Sequence, residues 1–170
     1  MARNIGAQCN KGDASVRILL LAVGKAKAGP ARALFEDYAQ RLRPPLELIE
    51  VEDRRRLGAA EMKRREAELL RAQLARRATR PLVVALDERG RSMDTVAFAQ
   101  QLARWRDGGA AEVAFLIGGA DGLDPDLAKG ADLQLALGPM TWPHLLVRGL
   151  IAEQLYRAQQ IQAGHPYHRV

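Results

Sequence analysis

Cysteine is almost absent from this chain of 170 residues; Cys9 is the only one. An intramolecular disulfide and a cysteine-rich metal site are therefore excluded. Histidine is scarce as well. His144, His165 and His168 show no H-E-x-x-H or similar ligand spacing, so no metal is expected in the chemistry. Long apolar runs are also missing. The longest, Ile18 to Val23, falls far short of the roughly 18 residues that a membrane span needs, and no membrane partner is expected. The first fifteen residues carry Arg3 and Lys11 without an apolar stretch, which argues against a secretory signal. The cytoplasm is the expected compartment.

What is present is globular in balance, with 48% apolar and 27% charged residues in a length suited to one domain. Positive charge is in excess. Lys and Arg number 26 against 20 Asp and Glu, a formal +6. Between Glu52 and Arg80 ten basic residues stand beside five acidic ones. The arginine fork suits phosphates, so such a stretch points to a polyanionic partner; an Arg-solvated surface helix is the alternative.

Short apolar runs alternate with amphipathic stretches. Strands are predicted at Arg17–Val23, Leu46–Val51, Pro81–Leu86, Val113–Ile117 and Leu133–Leu137. Helices are predicted from Pro30 to Leu42, Ala59 to Arg77, Asp94 to Arg106, Pro125 to Ala131 and Pro143 to Ala163. The first helix is expected to turn Ala33, Leu34, Tyr38 and Leu42 inward. Fully apolar strands between helices indicate an α/β fold, a mostly parallel sheet with helices on both faces.

Ligands of such sheets bind beyond the C-terminal ends of the strands. Three exits are specialised: Leu86-Asp87-Glu88-Arg89-Gly90, Gly118-Gly119-Ala120-Asp121-Gly122, and Leu137 through His144. The glycines permit close backbone approach, although a tight β–α turn would use them equally. Neither G-x-G-x-x-G nor a Walker loop is present. The last helix is apolar around most of its circumference, which indicates burial on several sides and, in so short a chain, against a second subunit. Arg148 lies in that apolar half and must pair with a carboxylate such as Glu153 or Asp121, or face a ligand. The tail His165-Pro166-Tyr167-His168-Arg169 is a dense acid–base set.

These segments together resemble the bacterial ribosomal large-subunit methyltransferases of the SPOUT class. The resemblance rests on RILLLAVGK (17–25), ELIEV (47–51), LDERG (86–90), FLIGGADGL (115–123), LGPMTWPHLLVR (137–148), EQLYRA (153–158) and HPYHR (165–169), and it covers Val16 to Arg169. It implies a C-terminal trefoil knot whose loops hold S-adenosylmethionine through Leu86, Gly118 and the turn Leu137, Gly138, Pro139, Met140, Thr141 and Trp142. It implies methylation of N3 of a pseudouridine in 23S rRNA, with large-subunit rRNA or the ribosome as partner. Tyr167, His168 and Arg169 are the expected catalytic groups, helped by His144 and Arg148, in a homodimer whose tails complete the partner's site. A related SPOUT enzyme acting on tRNA or another rRNA base, or a non-catalytic ribosome-binding protein, is the alternative. Two further expectations follow. Gly118→Val should abolish cofactor binding with the fold retained. Residues 1–15, which have no counterpart in the resemblance, are expected to be an extension before a natural start at Val16, leaving 16–170 as the single domain.

Overall fold

The computed structural model describes residues 16–167. Residues 1–15, His168 and Arg169 therefore lie outside the described part. Five strands form one parallel sheet: β1 (Arg17–Val23), β2 (Glu47–Val51), β3 (Leu82–Ser92), β4 (Glu112–Ile117) and β5 (Leu133–Ala136). Their spatial order is β2-β1-β4-β3-β5. Five helices connect them: α1 (Pro30–Ala39), α2 (Ala59–Ala75), α3 (Thr95–Asp107), α4 (Pro125–Lys129) and α5 (His144–Gln162).

The sheet has an apolar layer on each face, which explains why β1 and β4 read as unbroken apolar runs. Ile18, Leu20 and Ala22 of β1 point to a core shared with α1, α3 and α5. Leu19, Leu21 and Val23 point to the opposite core, beneath α2 and α4. Successive residues thus serve opposite faces, as the period of two requires. Pro30 and Pro125 open α1 and α4 from their first turns. The Asp94 and Asp124 side chains cap α3 and α4 by accepting the first free N–H groups.

Two expectations need correction. The third strand does not end at Leu86. Its chain leaves β5 at Leu86 and rejoins it at Arg91 and Ser92. Gly90 allows this: a Cβ there would lie 2.7 Å from the backbone of Gln134 and Leu135. The inward face of α1 is also rotated. Tyr38 and Leu42 pack on the core as expected, but in the first turns Phe35 is buried while Ala33 and Leu34 are exposed, Ala39 is buried too, and the helix ends there. Leu34 instead rests on α5 at Gly149, where an added Cβ would come within 2.8 Å of its Cδ2.

Candidate active site

A parallel sheet brings the C-terminal ends of all its strands to one edge. A cleft of about 620 Å³ opens there over β3, β4 and β5. Its walls are the three predicted strand exits. Leu86, Gly118, Leu137, Gly138, Met140, Thr141 and Trp142 all line it; Pro139 does not. Two hydrogen bonds shape the last wall. Thr141 Oγ1 donates to Glu88 Oε2 across 2.9 Å, joining the β5 exit to the β3 excursion. Trp142 Nε1 donates to the Leu137 carbonyl at 3.3 Å and closes the turn on itself. Gly138, at φ 106°, allows the chain to reverse between them. Met140 remains 66% exposed on the rim.

The middle wall corrects the expectation for Gly118. A Cβ on Gly118 would lie 2.4 Å from the Gly122 carbonyl carbon and 2.5 Å from the Leu123 nitrogen. Glycine is required here by the turn closing on itself, held by the Gly122 N–H on the Gly119 carbonyl. Gly118→Val would therefore break the turn, and it is no clean probe of the ligand.

The cleft is acidic along one side, with Asp87, Glu88 and Asp121 against Arg89. Burial pushes the Asp87 carboxyl up, but the Arg89 backbone N–H and guanidinium outweigh it and hold the carboxyl below its ordinary range. Glu66 of α2 abuts Gly119; a Cβ there would be 2.8 Å from its Oε1. Burial, and then the charge of Asp121, raises the Glu66 carboxyl.

His144 opens α5 and lines the cleft. Burial, and then the neighbouring Arg148 charge, lowers its imidazole below the ordinary value, so the neutral form prevails at pH 7. Arg148 itself is 1% exposed and does not line the cleft. Its Nη1 donates to Glu50 Oε1 at 2.5 Å, and its Nη2 donates to the carbonyls of Val23 at 3.0 Å and Gly24 at 2.7 Å. Its partner is thus Glu50, not Glu153 or Asp121. The Ala26 N–H donates to the same Glu50 oxygen at 2.7 Å. Although burial opposes it, these contacts keep the Glu50 carboxyl below its ordinary range.

Tyr167 lies elsewhere. Its ring packs edge-on against Tyr156 at 4.9 Å between centroids, and its hydroxyl is 3.4 Å from the Tyr38 hydroxyl and 3.3 Å from Glu153. Glu153 is nine residues past His144, about 13 Å along the helix. Burial, the Tyr38 hydrogen bond and the Glu153 charge raise the Tyr167 phenol. The structure thus gathers His144 with the predicted cofactor residues, sets Arg148 behind it, and keeps Tyr167 apart. Sequence reasoning missed Glu50 and Glu66. Each is one of several acids in an ordinary element, and Glu50 meets Arg148 across 98 positions of chain.

The family model described as predicted SPOUT methyltransferase matches residues 16–168. The chain belongs to this SPOUT methyltransferase family. A protein of Rhodospirillum centenum named ribosomal RNA large subunit methyltransferase H is 58% identical over 154 residues, covering 91% of this chain and 99% of that protein. A protein of the same name from Paramagnetospirillum magneticum is 56% identical over the same shares of each chain. Among solved structures, a probable methyltransferase from Bordetella pertussis matches with a TM-score of 0.52 at 17% identity, over 85% of this chain and 97% of that one. That likeness is one of fold. Among the described residues of this SPOUT methyltransferase no cluster of three or more His, Cys, Asp or Glu could hold a metal ion. No described helix is long and apolar enough to cross a membrane.

The cleft fits the methyl donor in size and chemistry. Its volume lies within the roughly 300–1,000 Å³ range of small-molecule sites. Apolar Leu86, Leu137 and Met140 suit an adenine face, strand-end backbone supplies hydrogen bonds, and the carboxylates suit a sulfonium.

Proposed function

We propose that this chain transfers a methyl group from S-adenosylmethionine to N3 of a pseudouridine in large-subunit (23S) rRNA, as a cytoplasmic homodimer acting on the assembled ribosome. One observation carries the reading. The three segments assigned to the cofactor by resemblance, far apart in sequence, converge on a single cleft with His144 at its border. The relatives named ribosomal RNA large subunit methyltransferase H, matched along nearly their whole length, support the substrate.

When bound, the cofactor supplies a methyl group already activated on sulfur. The chain's task is to hold the acceptor in line and remove its N3 proton. Leu86, Gly118, Leu137, Gly138, Met140, Thr141 and Trp142 hold the donor. His144, neutral at pH 7, accepts the proton at a ring nitrogen. Arg148 is a positioning residue: it fixes the first turn of α5, and so His144, to the ends of β1 and β2. Tyr167, His168 and Arg169 complete the partner's site, and Tyr167's place away from its own cleft supports this. The trefoil knot implied by the resemblance is part of the same proposal.

The test is methylation of large ribosomal subunits, purified from a bacterium lacking this modification, with radiolabelled cofactor and nucleoside analysis by mass spectrometry. Label in N3-methylpseudouridine supports the reading. Label in another nucleoside, or none, overturns it.

A further inference from the structure

The basic stretch of the sequence is divided by the fold. Most of its arginines are held by carboxylates of the same chain. Arg54 pairs with Glu52, Arg55 and Arg65 with Asp53, Arg71 with Asp124, Arg77 with Glu47 and Glu112, and Arg80 with Asp132. Arg56, Lys63 and Arg64 have no ion pair among the described residues, and neither do Lys25 and Lys27.

These five share a location. Lys25 and Lys27 sit in the connection from β1 to α1, Arg56 in that from β2 to α2, and Lys63 and Arg64 near the start of α2. Helices run back against the strands of a parallel sheet, so these positions all lie at the C-terminal edge, where the cleft opens. Arg43, Arg76, Arg104 and Lys129, also without ion pairs, lie at or just past helix C-termini and so at the opposite edge. From Lys63 to Arg76 is thirteen residues, about 20 Å of helix.

The cleft edge is thus split by charge. Its β4-β3-β5 half carries the acids Asp87, Glu88 and Asp121, with Arg89 paired to Asp87 and Arg91 beyond. Its β2-β1 half carries the five free cations, with Glu52 and Asp53 already neutralised and Glu61 the exposed acid among them. His144 stands at the junction, its Nε2 3.6 Å from where a Cβ on Gly24 would lie. Glu66 ties the same end of α2 to Gly119 in the cleft wall.

We infer that Lys25, Lys27, Arg56, Lys63 and Arg64 form the surface that takes the phosphate backbone of a folded RNA, laying it over β1 and β2 so that one base reaches the cleft beside His144. This deepens the function proposed above and rests on it. Backbone contacts of this kind set position and carry no base specificity.

The probe is the large ribosomal subunit, and the readout is equilibrium binding without cofactor across a salt series, so the result stands whether or not methyl transfer is observed. The variant Lys25→Gln/Arg56→Gln/Lys63→Gln/Arg64→Gln should bind at least about 30-fold more weakly, with a salt dependence shallower by about three phosphate contacts. Cofactor affinity by calorimetry should stay within about twofold, since none of the four lines the cleft. The opposite-edge variant Arg76→Gln/Arg104→Gln/Lys129→Gln should bind like the parent. Single changes at exposed Lys25 and Arg64 should each lower the salt slope by about one contact, a test independent of the quadruple variant's folding. Unchanged binding by the first variant, equal loss by the second, or no binding by the parent would overturn the inference. A parent that binds through this arc yet methylates nothing would instead overturn the functional reading alone.

Discussion

A neutral imidazole at position 144 carries the proton-transfer part of the account. Burial and Arg148 both lower its pKa, so the methylation rate should be full at pH 7. It should fall as pH drops through a value below the ordinary imidazole pKa, where His144 gains its proton. His144→Asn should lower the plateau at least about a hundredfold and remove that acid limb; a pH–rate profile under saturating cofactor checks both. Thr141 gives a smaller prediction. Thr141→Val deletes the hydrogen bond to Glu88 that joins two walls of the cleft. Cofactor affinity should fall about fivefold, near 1 kcal/mol for one partly exposed bond, and Thr141→Ser should restore it in calorimetry. At this scale the sequence was legible where chemistry is local. The strand exits announced the cleft because glycines and a polar turn follow an apolar run. Arg148 was legible as a residue needing a partner, but not Glu50 as that partner, because their meeting depends on how α5 crosses the ends of β1 and β2.

Among the elements, α2 shows how composition misleads. The arginines of α2 and the turn after it suggested one nucleic-acid face, yet Arg77, two residues past the end of α2, belongs to a network at the far edge with Glu47 and the buried Glu112. Arg77→Ala should cost about 3 kcal/mol in denaturant unfolding, because Glu112 is left buried without its close partner. Binding to large ribosomal subunits should not change. Loss of binding without loss of stability would reverse this assignment. Strands were legible as unbroken apolar runs, since RILLLAV and VAFLI bury both faces and cannot be surface strands. The β3 excursion did not follow, because its return to β5 depends on Gly90 meeting the Gln134–Leu135 backbone, a contact made in space. The first half of the α1 face, Ala33 and Leu34, was misread for a related reason, while Tyr38 and Leu42 do meet the core. Leu34 is apolar for its contact with Gly149 at the margin of α5, and its burial by the sheet is slight.

At the scale of the whole molecule, the proposed active site is shared between two chains. Leu34, Met140 and Trp142 are exposed, and Leu145, Leu146, Leu150 and Ile161 of α5 are left partly uncovered by their own chain. Light scattering should find a dimer at micromolar concentration. A Leu137→Trp chain, its cleft filled by the indole, and a chain lacking Tyr167–Val170 should each be inactive alone. Mixed, they should recover part of the parent rate, because one cleft and one tail per hybrid dimer remain intact; a monomer, or no recovery, would contradict shared sites. The central claim is tested most directly in cells. Large-subunit rRNA from the source bacterium, with and without this gene, should be digested and mapped by mass spectrometry. The account predicts that one N3-methylated pseudouridine disappears on deletion and returns with the parent gene but not with His144→Asn. An unchanged pseudouridine map, with the lost methyl group on another base or on tRNA, would contradict it.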